Sequence, residues 1–343
     1  MRFRMQGPSA WSRNRRWWTV VVVLATVTTL GAVVGTVVVT RRPSLTQPVD
    51  PWPTAAVGTP DGTATGPGNA PASPGGPPSP TVTTVTPPSG PPADRGAATS
   101  AKKGVSTWEF PGLAAALQDV GVSWYWNWAA HPTPGAGSAV EFVPMIWGAG
   151  AVTPENLERA RRSGRVLLGF NEPDLASQAN MGVEQALDLW PQLQATGMRL
   201  GSPAPAFGGA DPGGWLDRFM TGAAQRGYRV DFIALHWYGA DFSPAAVDHL
   251  RSYLQAVWDR YHRPIWLTEF ALIRWEPSGP VYPTAAEQVA FIEGATRMLE
   301  DLSFVERYAW FALPAYEDHG GTGLYHEAAV PTAAGLAYRR AGA

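Results

Sequence analysis

The apolar pattern divides the chain into three stretches. From Trp17 to Val39 run 23 residues without a charge, most of them apolar. A helix of that length spans roughly 35 Å, enough for the hydrocarbon core of a bilayer. Between 41 and 100 the pattern disappears: 15 of the 33 prolines fall there, with six charged residues and no regular apolar period. Such a stretch cannot bury enough surface to offset its chain entropy. From 104 onward, short β-rich runs alternate with helical patterns. Strands are predicted at Gly104–Thr107, Gly121–Trp128, Glu141–Trp147, Val166–Asn171, Arg199–Pro203, Phe232–Tyr238, Pro264–Phe270 and Arg307–Leu313.

Helix signals fall between the strands. Thr153-Pro154 and Ser243-Pro244 each offer an N-cap followed by proline at the first helical position. Thr284 with Glu287 fits a capping box. Val247, Leu250, Leu254, Val257, Trp258 and Tyr261 share one helix face. Strict alternation of eight strands with helices predicts an α/β fold, a closed (β/α)8 TIM barrel over 104–343 rather than an open doubly wound sheet. No G-x-G-x-x-G follows a strand, so a dinucleotide site has no support.

Composition narrows the classes. Without cysteine there is no disulfide, thiolate nucleophile, zinc finger, iron–sulfur cluster or lipidated N-terminus. The chain's net charge of −2 hides a partition. Residues 1–103 carry ten Lys/Arg against three Asp/Glu; residues 104–343 carry 16 Arg, no Lys and 25 Asp/Glu. An acidic domain argues against nucleic acid as a partner. The basic surplus flanks the apolar run: Arg2, Arg4, Arg13, Arg15 and Arg16 precede it, Arg41 and Arg42 follow. This asymmetry predicts a cytoplasmic tail (1–16), a signal-anchor helix (17–40), a disordered Pro/Gly/Thr/Ser-rich tether (41–103) and an extracellular domain. The alternative is a cleaved signal peptide and a secreted domain.

In a parallel barrel the chemistry sits at the carboxyl ends of the strands. Those ends carry Trp126-Asn127-Trp128, Trp147, Asn171-Glu172-Pro173-Asp174, His236-Trp237-Tyr238 and Glu269, with Trp310 in the last strand. Two carboxylates ringed by tryptophan suit glycoside cleavage. One acid protonates the leaving oxygen, and the second attacks the anomeric carbon or activates water. Trp128, Trp147 and Trp310 are predicted to stack on sugar rings, with Asn127, Asn171, His236 and Tyr238 also in the substrate-binding set. Trp258 and Trp266 are assigned to packing. Along the sixth strand His236 and Tyr238 point one way and Trp237 the other. Asp174 either tunes its neighbour Glu172 or caps the next helix. Glu317-Asp318-His319 with His326-Glu327 suggests a cation site only weakly, so neither metal nor cofactor is expected. No G-x-S-x-G elbow exists for a serine hydrolase.

The run Gly169-Phe170-Asn171-Glu172-Pro173-Asp174 followed by Gln178-Ala179-Asn180-Met181 resembles the hallmark of glycoside hydrolase family 128. Ser123–Trp128, Pro144–Gly148, His236–Tyr238 and Leu267–Phe270 match further family segments in order, covering 104–343. The resemblance implies a retaining endo-β-1,3-glucanase of barrel fold. It implies Glu172 as acid/base, Glu269 as nucleophile, Asn171 on the sugar 2-hydroxyl, Tyr238 on the nucleophile and Trp310 flooring the cleavage subsite. A retaining pair should stand about 5–5.5 Å apart. The expected partner is a β-glucan and the expected state monomeric. Another wall β-glycan, or a non-catalytic polysaccharide-binding barrel, is the alternative.

Overall fold

A computed structural model of the protein describes residues 100–315 and 321–342. The predicted tail, anchor helix, nearly all of the tether and the Glu317-Asp318-His319 triplet lie outside the described residues. Among the described residues no helix is long and apolar enough to cross a membrane.

Eight parallel strands form the centre: β1 (Lys103–Ser106), β2 (Trp124–Trp126), β3 (Glu141–Phe142), β4 (Val166–Leu167), β5 (Arg199–Leu200), β6 (Ile233–Gly239), β7 (Ile265–Leu272) and β10 (Val305–Trp310). Six pair in the order β3-β2-β1-β10-β7-β6, and β4 pairs with β5. Parallel bridges at Met145↔Leu168 and Gly201↔Phe232 join the two groups, so each strand has a parallel neighbour on both sides. The result is an α/β fold around a closed parallel sheet, consistent with the expected barrel. Two antiparallel hairpins extend it: β8 (Arg274–Glu276) with β9 (Gly279–Val281), and β11 (Tyr325–His326) with β12 (Val330–Pro331).

Helices α1 (Leu113–Asp119), α2 (Pro154–Ser163), α3 (Val183–Gln194), α4 (Trp215–Gln225), α5 (Ala246–Tyr261), α6 (Ala285–Asp301) and α7 (Ala333–Arg340) follow strands. The expected strict alternation fails once: no helix joins β2 to β3. That connection contains Pro132 and Pro134, with Gly135 and Gly137 at φ 78° and 72°, and helical backbone cannot run through it. The Thr153 cap and the Thr284–Glu287 box form as predicted. The fifth helix begins at Ala246, two residues beyond the predicted start.

Strand alternation sorts the core into two layers. Trp124, Trp126, Val143, Met145, Leu168, Phe232, Ala234, Trp266 and Ala309 form one buried cluster, with the part-exposed Trp128 and Trp147 against it. The large rings fit because Gly104 and Gly201 have no side chain: a Cβ at either would sit 2.3 Å and 2.5 Å from the Trp124 and Phe232 rings. The second cluster lies between strands and helices, and Trp310 belongs to it. Trp258 stacks on Phe304 at 5.1 Å, a packing role like that of Trp266.

At the amino ends of the strands, charge is paired. Arg307 bonds Glu141 at 2.7 Å and lies over the Trp266 ring at 4.5 Å. Arg199 bonds Glu306 at 2.7 Å, and Glu306 also accepts from the Trp266 indole. Lys102 Nζ donates to the carbonyls of Leu299, Glu300 and Leu302 at the end of α6. Lys103 Nζ does the same for Tyr338, Arg339 and Ala341 at the end of α7. These cations meet helix C-termini, where the backbone leaves carbonyls unpaired. Lys103, counted with the tether in the sequence, is therefore the first residue of β1, and burial pushes its ammonium down to about 8.

Candidate active site

Glu172 follows β4. Its N–H donates to the Ala204 carbonyl at 2.8 Å, and its backbone sits in the left-handed region at φ 41°. A non-glycine residue held there costs on the order of 1–3 kcal/mol and is commonest where function demands it. The loop behind it is tied down. Asn171 Nδ2 donates to Gln178 Oε1, Met181 N to the Pro173 carbonyl, and the Trp215 indole to the Met181 carbonyl. The Gln-Ala-Asn-Met segment thus braces the glutamate. Asp174 neither caps the next helix nor contacts Glu172 by a hydrogen bond; it accepts from Ala206 and Phe207 N–H in the neighbouring loop.

Glu269 lies within β7, opposite His236 of β6, and a register shift between Leu235 and His236 creates that pairing. The Tyr238 hydroxyl donates to Glu269 Oε2, and the Trp128 indole donates to Oε1 at 2.9 Å. Trp128 reaches this position from a left-handed backbone, φ 59°. His236 stands between the glutamates: Nδ1 is 2.9 Å from Glu172 Oε1 and Nε2 is 3.4 Å from Glu269 Oε1. One oxygen of each carboxylate and a ring nitrogen lie within 4.8 Å of one another. The alternation on β6 is as predicted, since Trp237 turns away to stack on Phe291 of α6.

Burial pushes the Glu269 carboxyl above its ordinary range; the His236 ring opposes this, Glu172 adds to it, and the Tyr238 and Trp128 donors oppose it. Burial disfavours a charged His236, yet Glu269 and Glu172 outweigh it and raise the ring above its ordinary value. Tyr238 is pushed well up by burial and by both glutamates, so it remains a donor. Protons aimed at both oxygens of Glu269 suit a hydrogen-bonded carboxylate better than a cation ligand.

Three expectations need correction. Trp310 is fully buried, bonded through its indole to the Thr322 carbonyl and packed on Phe270 and Phe291. The alternation of β10 turns it into the helix-side layer, away from sugar. Asn127 donates to the His131 carbonyl and Thr133 Oγ1 and accepts from Ala129 N–H, so its amide shapes the β2–β3 loop that carries Trp128. His236 has no exposed side-chain surface and bridges carboxylates instead of meeting substrate. Trp147 stays at the rim of the inner cluster, and its carbonyl accepts from Asn171 N–H.

The structure adds aromatics that the sequence reading missed. Trp108 and Phe311 lie 6.3 Å and 6.0 Å from Trp128; Phe311 and Trp275 lie 5.6 Å and 6.3 Å from Tyr238. Trp108 ends the β1 run as Trp128 ends β2, which is the signal that could have found it.

The glycosyl hydrolase catalytic core family matches residues 107–338. A family 128 subgroup I endo-β-1,3-glucanase from Amycolatopsis mediterranei, solved with laminarihexaose, is 62% identical, with 71% of this chain and 100% of that chain covered and a TM-score of 0.68. A subgroup II endo-β-1,3-glucanase from Sorangium cellulosum is 29% identical over 70% of this chain and 98% of that one, with a TM-score of 0.60. Alkali-sensitive linkage protein 1 of Schizosaccharomyces pombe is 34% identical over 223 residues, 63% of this chain but only 39% of that protein. With a carboxylate pair at the carboxyl ends of parallel strands, these matches define the class, a glycoside hydrolase. The chain belongs to the glycosyl hydrolase catalytic core family, as a member of glycoside hydrolase family 128.

Proposed function

We propose that this chain is a retaining endo-β-1,3-glucanase on a (β/α)8 barrel, with Glu172 as acid/base and Glu269 as nucleophile. The observation that carries the reading is the asymmetric holding of the two carboxylates. Both oxygens of Glu269 accept hydrogen bonds, from Tyr238 and Trp128, which favours the anion and aims it. The Glu172 side chain keeps more exposure, 11% against 5%, and one oxygen faces His236. Their closeness, within 4.8 Å, leaves less room than the roughly 6.5–9.5 Å of an inverting pair that must admit water between them. A further support comes from the Amycolatopsis enzyme, whose solved variants replace one or the other of two glutamates 97 positions apart. Glu172 and Glu269 have the same spacing.

In this mechanism Glu269 attacks the anomeric carbon while Glu172 protonates the leaving oxygen. Glu172 then takes a proton from water, which releases the sugar from Glu269 with net retention. Asn171, whose buried carboxamide oxygen has no hydrogen-bond partner among the described residues, takes a sugar hydroxyl. Part-exposed Trp128 and Trp147 give apolar faces for the rings.

Proton NMR during laminarin hydrolysis by the full-length protein tests the reading: the β-anomer should appear first, within a ladder of oligosaccharides. The α-anomer first, or glucose alone, would sink retention or endo action respectively; binding without turnover would leave a carbohydrate-binding barrel. The reading extends to location, with residues 17–40 anchoring the domain on the outer face of a membrane. Protease on intact cells should then release it by cutting within 43–103, whereas protein found free in the medium would favour signal cleavage.

A further inference from the structure

Phe207 is the most exposed large apolar side chain among the described residues, at 66%. A single exposed apolar ring is ordinary on a protein surface, so exposure alone assigns it no role. Here the loop is held on both sides of the ring. On one side, a ladder of hydrogen bonds runs from the acid/base itself: Glu172 N–H to the Ala204 carbonyl at 2.8 Å, then Ala206 N–H to Asp174 Oδ1 at 2.8 Å and Phe207 N–H to Asp174 Oδ2 at 3.2 Å. On the other side, the Gly209 carbonyl accepts from the Tyr261 hydroxyl, and a Cβ on Gly209 would meet Tyr253 Oη at 2.4 Å. Gly208 makes the turn between them at φ 63°. Asp174 is a carboxylate whose burial raises its pKa, and it joins the Phe207 loop to the Glu172 loop. An aromatic ring kept in water by a braced backbone, on a loop hydrogen-bonded to the loop of the acid/base, is a surface prepared for an apolar face.

The acid/base lies on the side of the leaving oxygen, so sugars beside its loop belong to the leaving half of the chain. We propose that Phe207 is the stacking platform for a glucosyl unit on the leaving-group side, and so a residue that sets which bond of a β-1,3-glucan is cut. The assignment rests on Glu172 being the acid/base. It differs from the aromatic group of Trp108, Trp128, Phe311 and Tyr238, which gathers around Glu269.

The test compares two substrates of the full-length protein: laminarihexaose, which fills both sides of the cleavage point, and an aryl β-laminaribioside, which places no sugar on the leaving side. Phe207→Ala should lower kcat/KM for laminarihexaose about five- to tenfold more than for the aryl glycoside, mainly through KM, and shift the product distribution. Phe207→Tyr should restore both. Equal losses on the two substrates, or no loss on laminarihexaose, would overturn the platform. A wild-type protein that cleaves neither substrate would overturn the catalytic reading instead, a result separable from the first.

Discussion

At the amino ends of the strands, Arg199, Arg307, Lys102 and Lys103 each meet a carboxylate, a ring face or a set of carbonyls. At the carboxyl ends, Glu172 and Glu269 face one another with a single imidazole between them. The first arrangement satisfies its groups in the resting fold and contributes stability. The second leaves two carboxyl groups close together and two residues, Trp128 and Glu172, in left-handed backbone. Unfavourable contacts of that kind persist only where the surrounding structure enforces them, and they concentrate where chemistry is done. One scaffold thus uses the same residue types for opposite ends, by pairing them or withholding the pair.

The comparison breaks most visibly at the nucleophile. Glu269→Gln should lower laminarin turnover by at least about 10³-fold, yet the melting temperature should hold or rise, because a buried carboxyl that resists ionisation is removed. A fall in both together would mean that the carboxylate is structural. Trp310→Ala should behave in the opposite way. Removing a fully buried indole from the helix-side layer costs about 3–5 kcal/mol, read by denaturant unfolding, with KM for laminari-oligosaccharides unchanged. A raised KM would return Trp310 to the subsite.

Lys103→Ala is the test at the amino end. It strands three carbonyls of α7, at a cost of about 2–3 kcal/mol. Activity per folded molecule should stay level, and a loss of turnover without a loss of stability would contradict the division between the ends. The smallest effect is in pH. His236 and Glu269 have raised values, so the folded state holds protons that the unfolded chain releases. Their contribution is full below the ordinary values of 4.5 and 6.5 and is lost as pH rises through the raised ones. Lys103 acts in reverse: its lowered value makes stability rise with pH between about 8 and 10.5. Melting temperature against pH should therefore fall from about 4.5 upward in the wild type, more steeply once His236 joins above about 6.5, with Lys103 opposing the fall above about 8; Glu269→Gln should flatten the part that begins near 4.5.

Strand ends and carboxylates were legible in the sequence because local rules decide them. Period-two alternation put His236 and Tyr238 on one side and Trp237 on the other, and Trp266 was readable as packing from its mid-strand position. Trp310 was misread because a tryptophan near a strand end looks the same whether it faces a groove or a helix. Asn127 looked like a ligand because its amide partners, His131 and Thr133, come from the fold of its own loop. Lys103 looked like tether because its partners lie more than 230 residues away.

The sequence by itself determined the alternating elements, their caps, the absence of thiol chemistry and the two glutamates, since each depends on residues close together in the chain. The tertiary structure alone decided which polar group meets which. A register shift on β6 set His236 against Glu269, ring closure carried Trp128 from β2 to a carboxylate on β7, and a half-buried Asp174 tied Phe207 to the loop of Glu172. Those contacts join residues 33 to 141 positions apart, a separation at which burial and strand register, rather than local propensity, choose the partner.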